Sequence, residues 1–193
     1  MIGDILEVIA KESAKYIEDE LNIPKGKKGV LLYSPQSRDG SNSMPDNCIL
    51  LSLLGIEEEM AMKNNLIIKK VINGKVYKQN PAINIYLQVI FISNFRNDYI
   101  NELNAIAKII EFFQKNPTLN SKNSEYINEL GIKSISFNIN TIPLKEQNNI
   151  LSLIGGEYRP SIIYKVGPIT IQDELKPIDE QIVKNVRIKS QQR

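Results

Sequence analysis

The side chains able to do chemistry here are acids, bases and one thiol, because the 193-residue chain contains no histidine. The densest carboxylate run is Glu57-Glu58-Glu59, and in an extended segment Glu57 and Glu59 fall on one face. Two carboxylates so placed could divide acid and base roles, or hold a divalent cation. Three adjacent acids at a strand end also make a solvated edge or a patch that faces a partner. No aspartate-rich loop of EF-hand spacing accompanies them. Histidine is the commonest general base and metal ligand near neutral pH. Its absence excludes Ser–His and Cys–His nucleophile systems and histidine-containing zinc sites. Carboxylate or lysine chemistry is left without its usual assistant. Cys48, the single cysteine, sits in an apolar run and reads as a small buried thiol. The expectation is a protein without catalytic residues, metal or cofactor.

Other motifs weaken on inspection. Lys25-Gly26-Lys27-Lys28-Gly29 resembles a phosphate loop only in composition. Its glycines follow a helical pattern and precede a strand, whereas phosphate cradling needs the reverse order. Gly155-Gly156 lacks the third glycine and the preceding strand of a dinucleotide fingerprint. Lys63, Lys69, Lys70, Lys75 and Lys78 give one segment a basic character. Lysines that keep a strand edge soluble are the ordinary reading, and a DNA contact is the other. With 24 basic and 22 acidic residues, the net charge of +2 is too balanced to make nucleic acid or an anionic membrane the main partner. No apolar run approaches the roughly 18 residues of a membrane span. The acidic, charge-interrupted start MIGDILEVIAKESAKYIEDE is unlike a signal peptide, so synthesis and assembly in the cytoplasm are expected.

The elements that must carry these groups alternate between helical and extended periods. Residues 2–21 repeat apolar side chains at helical spacing (Ile2, Ile5, Leu6, Ile9, Tyr16, Ile17 and Leu21), with Pro24 and Gly26 beyond. A short strand at 30–33 precedes a turn-rich polar loop over 34–47, and an apolar strand begins at 48 and runs into the acids. Asn73-Gly74, between β-prone residues of 66–79, predicts a hairpin tip. Residues 82–93 carry Ile83, Ile85, Leu87, Val89 and Phe91 on one face, and Tyr86, Ile90 and Ile92 on the other. That predicts a central strand covered on both sides.

Residues 97–115 predict a helix capped by Asn97 or Asp98, with Tyr99, Leu103, Ile106, Ile110 and Phe113 as its core stripe. Ile135, Phe137 and Ile139 alternate with polar residues as a half-exposed strand. Thr141 then caps a short helix with Leu144, Leu151 and Ile154 on its apolar side, stopped by Gly155-Gly156. The last strand, 161–172, bends at Gly167-Pro168. This is an α/β (α+β) chain with one domain over 1–172 and an extended C-terminal arm over 173–193. In an extended arm Ile182, Val186 and Ile188 share a face.

Several segments together resemble the cap, or tail-terminator, family of extracellular contractile injection systems of the antifeeding-prophage and Photorhabdus virulence cassette type. They are the opening MIGDILEVIAKESAKYIEDEL, Ile56-Glu57-Glu58-Glu59, NPAINIYLQVIFIS (80–93), the Phe112-Phe113 pair and LSLIGGEYRPSIIYKV (151–166). The likeness runs in order across residues 1–172 and departs at Gly167-Pro168, where bulkier or charged residues are expected. It implies a mixed, mainly antiparallel sheet flanked by helices, as in phage tail terminators. It further implies a structural cap that ends the inner tube and sheath away from the baseplate. The implied partners are further copies of the chain in a ring, six by analogy, together with the inner tube protein and the sheath protein. Neither nucleic acid nor membrane is among them. Glu57, Glu58 and Glu59 would be a partner interface, and so would Ile182, Val186 and Ile188 on an arm that adds a strand to a neighbour. The particle carrying such a cap can be released from the cell. The alternatives are another adaptor of the same particle, in the baseplate or tube, or a carboxylate-dependent enzyme.

Overall fold

The computed structural model describes residues 1–20, 29–34, 44–61, 67–73, 75–95, 98–154 and 158–178. Along the chain come α1 (Ile2–Glu20), β1 (Val30–Leu32), β2 (Cys48–Glu58), β3 (Ile68–Ile72), β4 (Lys75–Gln79) and β5 (Ile83–Asn94). There follow α2 (Tyr99–Lys115), β6 (Thr118–Asn120), α3 (Glu125–Glu129), β7 (Ser134–Ile139), α4 (Leu144–Ile154), β8 (Ser161–Ile171) and β9 (Lys176–Ile178). Two compact units divide the chain: Met1–Glu57 with Ile85–Ile169, and Glu58–Asn84 with the residues from Thr170 onward.

The first unit is built on a sheet of order β1-β2-β5-β8-β7-β6. β1 runs parallel to β2. Backbone bonds from Asn47 to Asn94 and from Glu59 to Asn84 set β2 antiparallel to β5. β7 is antiparallel to both β6 and β8. This is the mixed, mainly antiparallel sheet that the resemblance implies, and β5 lies at its centre, as its two apolar faces predict.

β5 holds that position because both of its faces are apolar. Leu87, Val89 and Phe91 join Ile49, Leu51, Tyr164 and Val166 in a core closed by α1, α2 and α3. On the opposite face Ile90 and Ile92 join Cys48, Leu50 and Ile163, and Ile150 of α4 packs against them. At about 1.5–3 kcal/mol for each large apolar side chain buried, these two layers supply most of the unit's driving force. Phe113 sits at the centre of the first layer, with ring centroids 4.5 Å from Phe137, 4.7 Å from Tyr164, 4.9 Å from Phe112 and 5.5 Å from Phe91. Ser13 on α1 is buried without penalty, because its hydroxyl donates to the Ile9 carbonyl at 2.6 Å.

Three side-chain assignments read from the sequence change. α2 buries Glu102, Ala105, Ile109, Phe112 and Phe113, so its core stripe is rotated from the expected one, and Tyr99 and Leu103 are exposed. Leu144 is exposed at the start of α4, where Ile150 makes the packing contact. Ile139 is exposed at the end of β7. The α2 cap is Asp98, whose carboxylate accepts from the Asn101 N–H at 3.1 Å. At α4 the Pro143 carbonyl accepts from the Glu146 and Gln147 N–H groups, so the helix starts directly after that proline.

Gly167 holds a backbone conformation open to glycine and to few other residues. Its φ is +139°, and a Cβ there would stand 2.9 Å from the Ile85 carbonyl oxygen of the adjacent strand. β8 nevertheless runs unbroken from Ser161 to Ile171.

The second unit contains the sheet β3-β4-β9. Ile72 faces Lys75 across a two-residue hairpin loop, and Asn73 has φ +50° as such a turn requires. β9 pairs antiparallel with β4. The expected features at Leu21, Pro24 and Gly26, most of the polar loop, Lys63, Gly74, Gly155-Gly156 and the arm beyond Ile178 lie outside the described residues.

Candidate assembly surface

Glu57 ends the part of β2 that belongs to the first unit, and its carboxylate is already engaged. It accepts from the Gln88 amide on β5 and pairs with Lys165 Nζ on β8 at 2.8 Å. Lys165 also lies 4.5 Å from the centroid of the Tyr86 ring. These four residues form a polar ladder across the three central strands, beside the part of the sheet that α4 covers. The bond from Lys165, ahead of that from Gln88, holds the Glu57 carboxyl below its ordinary range. A carboxylate fixed in its ionised form by a lysine is poorly suited to exchange protons near neutral pH.

Glu58 is exposed. Glu59 accepts from the Ala61 backbone N–H at 2.9 Å, which uses one oxygen to close its own turn. Each of the three acids thus stands in a different local setting: a cross-strand pair, an exposed position and a turn closure. Among the described residues no group of three or more cysteine, aspartate or glutamate side chains could hold a metal ion. Cys48 is buried, and desolvation, aided by Asp46, pushes its thiol up to about 11, far from the range of a reactive thiolate. A cleft of about 990 Å³ lies between α1, β1 and the α3 region. Its charged lining mixes signs, with Lys11 pairing Glu7 at 3.5 Å and lying 5.4 Å from the Tyr126 ring centroid.

The sequence reading missed a buried ion pair. Arg159 Nη1 meets Glu102 Oε1 at 3.0 Å, with side chains only 14% and 9% exposed, and the same oxygen accepts from the Phe95 N–H at 3.2 Å. The pair ties the start of β8 to the first turn of α2. That explains why α2 turns a glutamate inward and leaves Tyr99, Ile100 and Leu103 outside. The signal was present: an arginine two residues before β8 and a glutamate in the first turn of α2. Nothing local links them across 57 positions. Ile182, Val186 and Ile188 lie outside the described residues.

The described surface offers paired charges and exposed apolar side chains, Ile56, Val71, Ile100 and Tyr158 among them. The fold is similar to those of solved tail terminators. The sheath/tube terminator of PVC, an extracellular contractile injection system, in its extended state, superposes with a TM-score of 0.62 at 13% identity. The alignment covers 100% of this chain and 64% of that one. The tube-terminating cap of the anti-feeding prophage (AFP) gives a TM-score of 0.59 at 14% identity, covering 98% of this chain and 62% of the other. The chain therefore spans less than two thirds of the length of each. No curated protein matches the sequence. Residues 11–185 match the family model described as the Pvc16 N-terminal domain, and the chain belongs to that family. No described helix is long and apolar enough to cross a membrane.

Proposed function

We propose that this chain is the structural cap that terminates the inner tube and sheath of a phage-tail-like contractile injection system, at the end distal to the baseplate. The observation that carries this reading is the likeness of fold, over 100% and 98% of the chain, to a sheath/tube terminator and a tube-terminating cap. The family match over residues 11–185 supports it independently. The role is non-enzymatic: free energy comes from docking, and no bond is made or broken.

The cap works as a homo-oligomeric ring, six-membered to match the layer beneath, since a heterologous ring closes only when its rotation fits that layer. One face offers the tube and sheath what their next layer would offer, and the other does not, so growth stops. The inner tube protein and the sheath protein are its partners, and nucleic acid and membrane are not. The acidic patch of Glu57, Glu58 and Glu59 forms one contact. The arm of residues 173–193 forms another, with Ile182, Val186 and Ile188 as its apolar face. The subunit assembles in the cytoplasm and leaves with the particle.

The test is to delete the chain's gene from a strain that makes the particles and to image what is made. Tubes of excess length, or tubes without sheath, are expected. Particles of normal length with normal sheaths would overturn the reading, and localisation of the chain at the baseplate would replace it with an adaptor role.

A further inference from the structure

Three strands of the first unit meet at one end of its sheet, where β5 and β7 finish and β8 begins. The Ser93 N–H donates to the Pro160 carbonyl at 3.0 Å and the Asn140 N–H to the Ile163 carbonyl at 2.9 Å, which brings the strand ends side by side. α2 starts from the same end, tied to the approach of β8 by the pair of Arg159 and Glu102. The five most exposed large apolar side chains described in this unit all belong here: Ile100 (73%), Tyr158 (69%), Leu144 (68%), Tyr99 and Ile139. Leu103, one turn along α2 from Tyr99, is exposed as well.

Charge is missing from the same place. Residues 99–107, 137–144 and 158–164 contain one acid and one base in all, Glu102 and Arg159. Those two pair with each other beneath the surface, so what these segments turn outward is apolar or neutral. Asp98 and Lys145, at the borders of the segments, are exposed and give the patch a polar rim. An ordinary solvated helix face differs: α1 presents Asp4, Glu7, Lys11 and Lys15.

We propose that this end of the sheet is buried against a second copy of the chain. The proposal rests on the ring reading above and deepens it, by naming the surface that each subunit buries against the next. The exposed side chains present on the order of 700 Å² of apolar surface, above the roughly 300–600 Å² of the largest patch on a typical monomer and near the roughly 800 Å² that each partner buries in a stable interface. Surfaces buried permanently between identical subunits are more apolar than those of partners that come and go, and their centres are poor in charge. A charged partner would surrender hydration here without meeting an opposite charge. A subunit that carried the patch bare until it reached a filament end would be prone to aggregate, and a second copy covers it from the start.

Light scattering on the full chain at about 50 μM is the first measurement, and a mass above that of one subunit is expected. Ile100→Asp combined with Leu144→Asp should return the chain to a single subunit. The milder Tyr158→Ala should weaken association at least about tenfold. Val71→Asp, on the exposed strand β3, should leave the mass unchanged, with circular dichroism showing every variant folded. Ile100→Cys should react with a thiol reagent at least about tenfold more slowly than Val71→Cys. A single-subunit mass for the unsubstituted chain, association that survives the double substitution, equal dispersal by Val71→Asp, or equal reactivity of the two thiols would each overturn the proposal. An Ile100→Cys thiol shielded only when tube or sheath protein is added would overturn it too, and would assign the surface to that protein. Gene deletion tests the cap separately: normal particles would remove the capping role and leave these masses standing, whereas association through another surface would remove this proposal and leave the cap.

Discussion

In the six-stranded sheet the central strand β5 buries side chains on both faces, whereas in the three-stranded sheet the outer strand β3 buries none. Both strands are rich in β-branched residues, so intrinsic propensity does not separate them. The difference lies in what stands above and below. Two helix-covered layers enclose β5, and Leu87, Val89, Ile90, Phe91 and Ile92 are fully buried. β3 offers Ile68, Val71 and Ile72 to the surroundings among lysines. The first region is finished by its own chain. The second leaves the apolar side chains of its outer strand in solvent.

The largest effect that would sharpen this contrast is expected at Phe113. Phe113→Ala removes the ring that touches four other aromatic rings, and should cost about 3–5 kcal/mol in urea unfolding. Val71→Ala in β3 should cost less than about 0.5 kcal/mol. Comparable losses at the two sites would break the comparison.

Next comes the buried pair. Arg159→Met leaves Glu102 desolvated and should cost about 3 kcal/mol. The double variant Arg159→Met, Glu102→Leu should recover part of that loss, and a double variant no better than the single one would show that the arginine stem matters through packing. Gly167→Ala forces a side chain into φ +139° and against the Ile85 carbonyl, and should lower stability by about 1–3 kcal/mol. A neutral result by thermal unfolding would mean that β5 and β8 separate easily.

A smaller effect is expected at the surface of α2. Lys108, then Lys115 and Tyr16, hold the Glu111 carboxyl down to about 2, from an ordinary value of 4.5. A carboxyl depressed in the folded state stabilises above its unfolded value and loses that contribution as pH falls through the folded one. Stability should therefore decline between about pH 4.5 and pH 2, and Glu111→Gln should flatten that part of the curve in acid titration. The smallest effect is at Cys48, whose buried thiol should stay unmodified by a thiol reagent at neutral pH until the chain is unfolded. Rapid modification of the native chain would show that the second core layer opens.

Much of this was open to reading in one dimension because its causes are local. The alternation in residues 82–93 is a property of the strand itself, and an apolar residue on both sides of a pleat has no stable place except between two layers. Asn73 marked the hairpin because few residues tolerate its positive φ. The helix of residues 99–115 was equally plain, but not the side it buries. Tyr99, Leu103, Ile106 and Ile110 make one acceptable stripe, and Ala105, Ile109 and Phe112 make another one position round. Helical periodicity weighs hydrophobicity and spacing, and it cannot count an arginine 57 residues away that draws Glu102 inward. The fate of Glu57 was hidden for the same reason, since Gln88 and Lys165 reach it from other strands.

What the amino-acid order alone determined, then, was where extended and helical segments lie, which strand is covered on both faces, and that no histidine chemistry is possible. Those are consequences of side-chain period, backbone sterics and composition. Only the tertiary structure decided which stripe of α2 faces the core and that Glu57 spends its charge on a cross-strand lysine. Each of these depends on register and packing between segments far apart in the chain, where the free energy of a contact belongs to the pair and to neither residue by itself.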